Sequence, residues 1–330
     1  MKKISVVVPT YNRGKIIVST LQALAKQTLT NKEMEIIIVN DGSTDDTADI
    51  IDKWISNCPR KNFQLINMKS NGGKSIACNK GILEASSPYI LFTDDDCLPD
   101  PHWAEYHLNR QQASSMPRGI QGTVSFPKKW REKSNFVRYF QGRYVGNRPW
   151  RTVKGSPDNI PPNLIGGANV SYPRESLISV GLFTPGLDRG QDCELAYRLW
   201  KAGMKFVFDS RSRVIHVSQD MVALDVWLSK YLTVYNTYFP KMYTVYPEFI
   251  QNFGHWFLLS PLPGQESIFK TLMKMGLRTI CNIHLAKKVR EYLVRTDGNP
   301  RHYHPYLYLY VITSFSLMKI RELEQYHVVS

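Results

Sequence analysis

Short apolar runs alternate with helical periodicities over the first hundred residues of the chain. Four of these runs have the length and β-branched composition of buried strands, and they occupy residues 4–8, 35–39, 63–66 and 89–93. Between the runs, apolar side chains recur at the spacing of a helix, as they do at Ile17, Leu21 and Leu24. Continuous apolar strands that alternate with helices predict an α/β fold, with a mostly parallel central sheet and helices on both of its faces.

The pattern loosens after residue 115, and residues 116–165 show no clear period. Beyond them we predict a turn into a short strand at 166–172, a helix at 192–201, and short strands at 205–208 and 214–216.

From residue 221 onward the periodicities are mostly helical. One of them places apolar residues on an approximate helical face, formed by Ile268, Leu272, Met275, Ile280 and Ile283. We therefore predict a catalytic domain over residues 1–220. A helical extension over residues 221–330 is expected to contact an acceptor or a membrane surface.

The cysteines and the apolar stretches indicate the cellular compartment of the protein. Five scattered cysteines with no CxxC pair argue against a disulfide framework or a zinc site, and favour a reducing compartment. The N-terminal residues contain no signal-peptide apolar region, and the apolar stretch 306–318 is too short to cross a bilayer. We expect a cytoplasmic protein that can act peripherally at the inner face of the membrane.

Four polar loops follow the first four predicted strands, at residues 9–13, 40–43, 71–74 and 94–96. Ligands of parallel α/β sheets bind at the carboxyl ends of the strands, so we expect these loops to meet at one sheet edge. The spacing of a Walker loop and the GxGxxG fingerprint are both missing, which argues against a nicotinamide cofactor. No Ser/His/Asp or Cys/His set has the spacing of a hydrolase triad.

The aspartate triplet Asp94, Asp95 and Asp96 is the most informative of these loops. Three adjacent carboxylates repel one another unless a cation neutralises them, and oxygen ligands favour Mg²⁺ or Mn²⁺. We predict that Asp94 and Asp96 converge on one such cation while Asp95 reaches substrate hydroxyls; the alternative is a solvated acidic turn. His216, at the end of a predicted strand, is either a further metal or phosphate contact or a structural residue.

Three other loop residues carry candidate chemistry. Asp41 can accept a hydrogen bond from a nucleobase or cap a helix, and Lys74, after Gly73, can reach a phosphate or simply begin a helix. Asp192 stands on a glycine-flanked loop at a helix start, where it can act as a general base or as an N-cap. Glu194 suits the first turn of that helix because of the helix dipole.

Six motifs follow one another along the chain: Val-Pro-Thr-Tyr-Asn-Arg at 8–13, Val-Asn-Asp-Gly-Ser-Thr-Asp at 39–45, Asn-Gly-Gly at 71–73, Phe-Thr-Asp-Asp-Asp at 92–96, Gly-Gly-Ala-Asn at 166–169 and Gly-Gln-Asp-Cys-Glu-Leu-Ala-Tyr-Arg-Leu at 190–199. In this order they resemble the motifs of glycosyltransferase family 2, whose members have the A-type, Rossmann-like fold of nucleotide-sugar transferases. The resemblance spans about residues 4–216 and leaves the last hundred residues unmatched.

The resemblance implies roles for the residues that match. Asp41 would bind the base, most often uracil, while Asp94 and Asp96 would form the DxD motif that holds a metal on the diphosphate and reaches the ribose. Asp192 would be the catalytic base. The other donor-binding residues would be Pro9, Thr10, Tyr11, Arg13, Gly73, Lys74 and Asp95. Those that border the donor sugar and acceptor would be Gly167, Ala168, Asn169, Gln191 and Glu194.

These roles imply an inverting, metal-dependent glycosyltransferase of the hexosyltransferase type. Its cofactor would be Mn²⁺ or Mg²⁺, and its donor a nucleotide sugar, expected to be a UDP-sugar. The acceptor would be a glycan, a lipid-linked group or a protein, in cell-surface polysaccharide or glycoconjugate synthesis. Two alternatives remain: a nucleotidyltransferase, or an inactive pseudo-transferase that binds sugars or lipids. The second is suggested by Gln191, because the family commonly has Glu at this position.

Charge singles out one further segment. The chain has a net charge of +14, and residues 118–154 contain ten Lys or Arg against the single acid Glu132. Aromatic residues interleave with the basic ones, namely Phe126, Trp130, Phe136, Tyr139, Phe140, Tyr144 and Trp150. The segment predicts either a basic flap over the donor diphosphate or contact with an anionic acceptor or membrane surface. We expect no nucleic-acid partner, because no nucleic-acid-binding motif accompanies the charge.

Overall fold

The computed structural model describes residues 2–143, 156–187, 189–217, 222–252, 256–261, 264 and 266–326. The chain divides into two compact units. The first unit comprises residues 1–127 and 143–218, and the second comprises residues 128–142 and 219–330. The predicted boundary at residue 220 lies close to this division, but the segment 128–142 is part of the second unit.

The first unit contains a sheet of eight strands and six helices among the described residues. The strands are β1 (Ile4–Thr10), β2 (Met34–Asn40), β3 (Phe63–Asn67), β4 (Tyr89–Phe92), β5 (Cys97–Pro99), β6 (Arg118–Ser125), β7 (Val170–Pro173) and β8 (Lys205–His216). The helices are α1 (Gly14–Ala25), α2 (Thr47–Asn57), α3 (Lys74–Glu84), α4 (Trp103–Gln112), α7 (Arg174–Ser179) and α8 (Gln191–Lys201).

The strands follow the spatial order β3-β2-β1-β4-β7-β6-β8-β5. Strands β1 to β4 pair in parallel, as do β6 and β8, whereas β7 and β5 pair antiparallel with their neighbours. The predicted α/β fold with a mostly parallel sheet is therefore confirmed.

Both faces of the sheet are buried, as the continuous apolar strands predict. Val7 belongs to one core cluster, whereas its neighbours Val6 and Val8 belong to the other. Successive side chains of a strand point to opposite faces, so the two clusters are the two sides of the sheet. Helix α3 supplies Ala77 to the first cluster, and α1 supplies Leu21 to the second.

Three strands differ from the prediction: β5 and β6 were not predicted, and β8 was predicted as two short strands. Strand β6 falls within the region without a clear period because it contains polar residues and two glycines. A Cβ at Gly119 would lie 2.4 Å from the ring of Phe206, so close packing between β6 and β8 requires the glycine. The two predicted short strands at 205–208 and 214–216 are parts of β8, whose pairing with β6 shifts register between Gly122 and Thr123.

The second unit is helical, which agrees with the periodicities after residue 221. Its helices are α5 (Lys128–Lys133), α6 (Asn135–Arg143), α9 (Leu224–Leu232), α10 (Tyr238–Val245), α11 (Pro247–Asn252), α12 (Ile268–Ile280), α13 (Ile283–Thr296) and α14 (Pro305–Gln325). The fully buried ring of Phe136 packs against Trp227 and Tyr308, which explains why α6 belongs to this unit. Across the part of the chain that is described, no helix combines the length and the apolar character needed to cross a membrane.

A buried polar network fixes the turn that enters β7. Asn169 is fully buried, and its amide nitrogen donates to the carbonyl oxygens of Thr123 and Ser212 over 2.9 and 3.0 Å. Its amide oxygen accepts from the indole N–H of Trp103 and from Nε2 of His107, each over 2.8 Å. The side chain of Asn169 thus has partners for all of its polar capacity inside the protein.

His107 links this network to the next strand. With Nε2 donating to Asn169, its Nδ1 is the acceptor that faces the Ser171 hydroxyl over 3.0 Å. Burial lowers the pKa of His107 to about 4, although the hydrogen bond with Asn169 opposes that shift. The imidazole is therefore neutral at physiological pH, as this hydrogen-bond pattern requires.

We expect His107 to make the first unit sensitive to acid. The unfolded chain takes up a proton at this side chain below about pH 6.5, whereas the folded protein does so only near pH 4. Acid therefore favours unfolding, and between pH 7 and pH 4.5 the wild type should lose about 2 kcal/mol more stability than His107→Gln. Urea unfolding of both proteins at each pH tests this, and equal losses would show that the fold tolerates a charged His107.

Candidate active site

The carboxyl ends of β1, β2 and β4 bring three of the predicted loops together. At the end of β1, the Thr10 hydroxyl donates to the carboxylate of Asp95 over 2.7 Å. The backbone N–H of Asp41, after β2, donates to the carbonyl oxygen of Thr10 over 2.9 Å. Because β1 pairs in parallel with both β2 and β4, these loops meet at one sheet edge.

Asp41 holds the fourth loop in place. The Asp41 carboxylate is buried, and its two oxygens accept from the backbone N–H groups of Gly72 and Gly73, each over 2.8 Å. Gly73 has a φ of 86°, a left-handed conformation that favours glycine, and α3 begins at the next residue. Asp41 thereby positions Lys74, while each carboxylate oxygen retains a lone pair for a ligand.

Lys74 and Asp94 form a close ion pair at this edge, with Nζ and Oδ1 2.6 Å apart. Burial alone would lower the pKa of Lys74, but the carboxylates of Asp94 and Asp192 together raise it. Burial acts on Asp94 in the opposite direction and would raise its pKa, yet the neighbouring Lys74 ammonium brings that pKa below its usual value. Both groups are consequently charged, and the ammonium lies within electrostatic reach of Asp192.

Arg13 supplies the second cation. Its Nη1 lies 2.7 Å from Asp96 Oδ2 and 3.5 Å from Asp95 Oδ1. Burial raises the pKa of Asp95 to about 7, and the adjacent Asp96 contributes in the same direction, while Arg13 and the Thr10 hydroxyl act against it. Asp95 faces Thr10 and Arg13, so these contacts help to fix the turn that displays its two neighbours.

Asp94, Asp96, Cys97 and His216 form a cluster that could hold a metal ion, with one potential ligand atom from each lying within 4.8 Å of the others. Strand pairing between β5 and β8 sets Cys97 opposite His216, whose Nε2 lies 3.4 Å from Asp96 Oδ1. Burial raises the pKa of Cys97 well above its usual value, which keeps the thiol protonated and a poor ligand. Two carboxylates and one imidazole suit Mn²⁺ or Mg²⁺.

Asp192 lies in the first turn of α8, after Gly190 in a left-handed conformation. A Cβ at Gly167 would lie 2.5 Å from Asp192 Oδ1, and the Gly167 N–H donates a hydrogen bond to this carboxylate. Burial raises the pKa of Asp192 and Asp94 raises it further, while Lys74, the Gly167 N–H and Arg189 counteract them. A carboxylate with a raised pKa is a stronger base, provided that it remains ionised.

Several residues of the predicted sugar and acceptor region support the site from behind. The polar atoms of Asn169 are all bonded within the buried polar network, and the buried Glu194 accepts two hydrogen bonds from Arg198, over 2.9 and 2.8 Å. Ala168 packs against the core. The side chains of Asn169, Glu194 and Ala168 therefore contact other protein groups and stabilise the loops of the site. The resemblance instead implies that they border the donor sugar and acceptor.

Gln191, Tyr11 and Pro9 complete the predicted set. Gln191 is 7% exposed, and its Oε1 has no hydrogen-bond partner within the described part of the chain. Tyr11 is exposed just after β1, where it is accessible to a ligand, whereas Pro9 is buried within that strand.

Thr47 and His107 were missed by the sequence analysis. The Thr47 hydroxyl accepts from the backbone N–H groups of Arg13 and Gly14, each over 2.9 Å, and so fixes the loop that carries Arg13. His107 acts on the site through Asn169, next to the turn that contains Gly167. Neither position has a local sequence signal, because both depend on contacts between residues far apart in the chain.

The basic aromatic segment differs from its predicted form. Phe126, Phe136, Tyr139 and Phe140 are buried, so these rings stabilise the protein interior and are not available to a membrane or an acceptor. Tyr144 and Trp150 lie outside the described residues.

Comparison with known proteins agrees with this geometry. Residues 5–158 match the family model described as glycosyl transferase family 2. One relative, the validoxylamine A glucosyltransferase of Streptomyces hygroscopicus subsp. jinggangensis (strain 5008), is 26% identical over 230 residues, which cover 63% of this chain and 54% of that protein. The chain thus spans about half the length of that relative.

Two solved structures share the fold. The mannosyltransferase PcManGT from Pyrobaculum calidifontis, in complex with GDP-Man and Mn²⁺, aligns with a TM-score of 0.64 at 15% identity, over 98% of this chain and 87% of that one. S. aureus TarS 1–349, in complex with UDP-GlcNAc, aligns with a TM-score of 0.54 at 16% identity, over 98% and 92%. Through residues 5–158, this chain carries a glycosyltransferase family 2 domain with the A-type fold.

Proposed function

We propose that this chain is an inverting, metal-dependent glycosyltransferase that uses a nucleotide sugar as donor. One observation carries the proposal: the metal-ligand cluster of Asp94, Asp96 and His216 is coupled to Asp192 through Lys74. A transferase of this kind needs positive charge for a departing diphosphate and a base for the acceptor, and the two sets of groups meet at this edge.

The donor is proposed to be a UDP-sugar. Asp41 offers carboxylate lone pairs to a base N–H at the end of β2, and Tyr11 is exposed at the neighbouring loop. Arg13 and Lys74 are the cations of the same edge and would contact the diphosphate. The TarS structure contains UDP-GlcNAc and the PcManGT structure contains GDP-Man, and together they support a nucleotide-sugar donor. Because their bases differ, the proposal of uracil rests on Asp41.

Asp94, Asp96 and His216 are proposed to hold the divalent cation. When bound, Mn²⁺ or Mg²⁺ supplies positive charge that stabilises the nucleoside diphosphate as a leaving group. Lys74 brings the pKa of Asp94 below its usual value and so keeps this carboxylate ionised, while Arg13 is paired with Asp96. The presence of Mn²⁺ in the PcManGT structure supports this choice of ion.

Asp192 is proposed to remove the proton from an acceptor hydroxyl. The acceptor oxygen then forms a bond to the anomeric carbon while the bond from that carbon to the diphosphate oxygen breaks. A single displacement of this kind inverts the anomeric centre. The Gly167 N–H orients the carboxylate, and the nearby Lys74 favours its ionised form against the effect of burial.

The acceptor and the cellular setting belong to the same proposal. We propose that a glycan, a lipid-linked group or a protein supplies the acceptor hydroxyl. The product would be part of a cell-surface polysaccharide or glycoconjugate. The scattered free cysteines of the described residues suit a cytoplasmic enzyme at the inner face of the membrane.

Asp192→Asn should separate donor binding from catalysis. The amide keeps the shape of the side chain but cannot accept a proton, so release of UDP from a panel of UDP-sugars should fall about 10²–10⁴-fold. Mn²⁺-dependent binding of UDP, measured by calorimetry, should remain within about threefold of the wild type. Asp158→Asn is the matched control, because the Asp158 carboxylate is an exposed partner of Arg110 in the same unit. Unchanged turnover in Asp192→Asn would remove Asp192 from the role of base.

Asp96→Asn should remove the metal dependence of nucleotide binding. The substitution deletes one anionic ligand and a partner of Arg13, so calorimetry should show loss of Mn²⁺-dependent UDP affinity by at least about tenfold. Addition of EDTA to the wild type should produce a comparable loss. Asp52→Asn, on the exposed surface of α2, is the control. Binding of UDP that is insensitive both to EDTA and to Asp96→Asn would contradict the metal site and favour a metal-independent or merely sugar-binding protein.

A further inference from the structure

Helix α12 of the second unit turns its large apolar side chains outward. Ile268, Phe269, Leu272, Met275 and Ile280 are between 52% and 79% exposed. The sequence periodicity places four of these residues on one helical face, and such a face in a globular protein is ordinarily buried. Large apolar side chains that cluster on a surface mark an interaction site.

Ion pairs on the opposite side fix α12 in this orientation. Lys274 is buried, and its Nζ lies 2.6 Å from a Glu266 carboxylate oxygen. Arg278 Nη2 lies 2.8 Å from both carboxylate oxygens of Glu324 on α14. Rotating the helix to bury its apolar side would break both pairs, and breaking a buried ion pair is strongly destabilising. The outward position of the apolar face is thus a built feature of this unit.

The two consecutive helices α12 and α13 are rich in positive charge. Residues 268–296, which comprise α12 and α13, contain seven Lys or Arg and the single acid Glu291. Lys287, Lys288 and Arg295 are exposed on α13. A groove of about 390 Å³ is lined by residues of α12, α13 and α14, and its charged lining comprises Arg278, Arg321 and the acid Glu322.

We propose that α12 docks the second unit on an anionic phospholipid surface. The apolar face would lie among the acyl chains near the headgroups, parallel to the plane of the bilayer. Lys287, Lys288 and Arg295 would meet lipid phosphates. An interfacial helix needs this combination of apolar side chains and neighbouring cations, and charge complementarity selects an anionic surface. The proposal is independent of the transferase chemistry, since every residue that carries it belongs to the second unit.

Vesicle flotation with the full chain tests the docking surface. The wild type should bind vesicles that contain about 30% phosphatidylglycerol more tightly than pure phosphatidylcholine vesicles, and rising salt should weaken the binding. The pair of changes Phe269→Ser and Leu272→Ser should lower the bound fraction at least about tenfold, and Lys287→Ser with Lys288→Ser should do so to a similar extent. The matched control is Leu83→Ser with Met116→Ser, which removes two exposed apolar side chains from the first unit and should leave binding unchanged.

Folding and self-association are measured on the same proteins. Circular dichroism and thermal unfolding should match the wild type, because the substituted side chains are exposed. Failure of the wild type to float, or equal flotation of all variants, would overturn the proposal. Light scattering that shows a dimer, lost in Phe269→Ser with Leu272→Ser and accompanied by no vesicle binding, would assign the apolar face to a second copy of the chain and would likewise overturn it.

Discussion

Four carboxylates gather at one edge of the sheet, and their mutual repulsion is the constraint on which the site depends. Asp94, Asp95, Asp96 and Asp192 are held there with two cationic side chains, Lys74 and Arg13. The buried Asp41 carboxylate lies at the same edge and Arg189 acts on Asp192, so carboxylates outnumber cations among these groups, and a divalent cation would reduce the excess negative charge. The raised pKa values of Asp95 and Asp192 are the other response to the same repulsion and burial.

The backbone around these carboxylates explains how they can be held so close together. Gly73 adopts a left-handed conformation just before α3, which begins with Lys74. Gly190 does the same just before α8, which carries Asp192 in its first turn. Gly167 has no side chain where the Asp192 carboxylate approaches, and its N–H becomes a hydrogen-bond donor to that carboxylate. Behind this turn, Asn169 is bonded on every polar atom. The backbone that positions the base is therefore held by hydrogen bonds on both sides of the turn.

The sequence predicts the part of this arrangement that is encoded locally. The four parallel strands are visible because each is a continuous apolar run, and the topology of a parallel sheet then brings their loops together. Strand β6 is not visible, because Gly119 is required by Phe206 from a strand about ninety residues later. A motif also does not show the direction of a side chain, so Asn169 and Glu194 could be placed near the site but not recognised as inward-facing supports.

The same limit explains α12. Its periodicity reveals an apolar side and a cationic side, but periodicity alone cannot tell which one faces the interior. Two acidic partners fix which side faces the interior. Glu266, eight residues before Lys274, pairs with that lysine, and Glu324, forty-six residues after Arg278, pairs with that arginine. An unpaired buried charge costs several kcal/mol, so these two acidic partners stabilise the observed orientation of α12 relative to one that would separate them from Lys274 and Arg278. A helix that buries its cations in this way leaves its apolar side to be covered from outside, and the second unit therefore carries a binding surface as well as a fold.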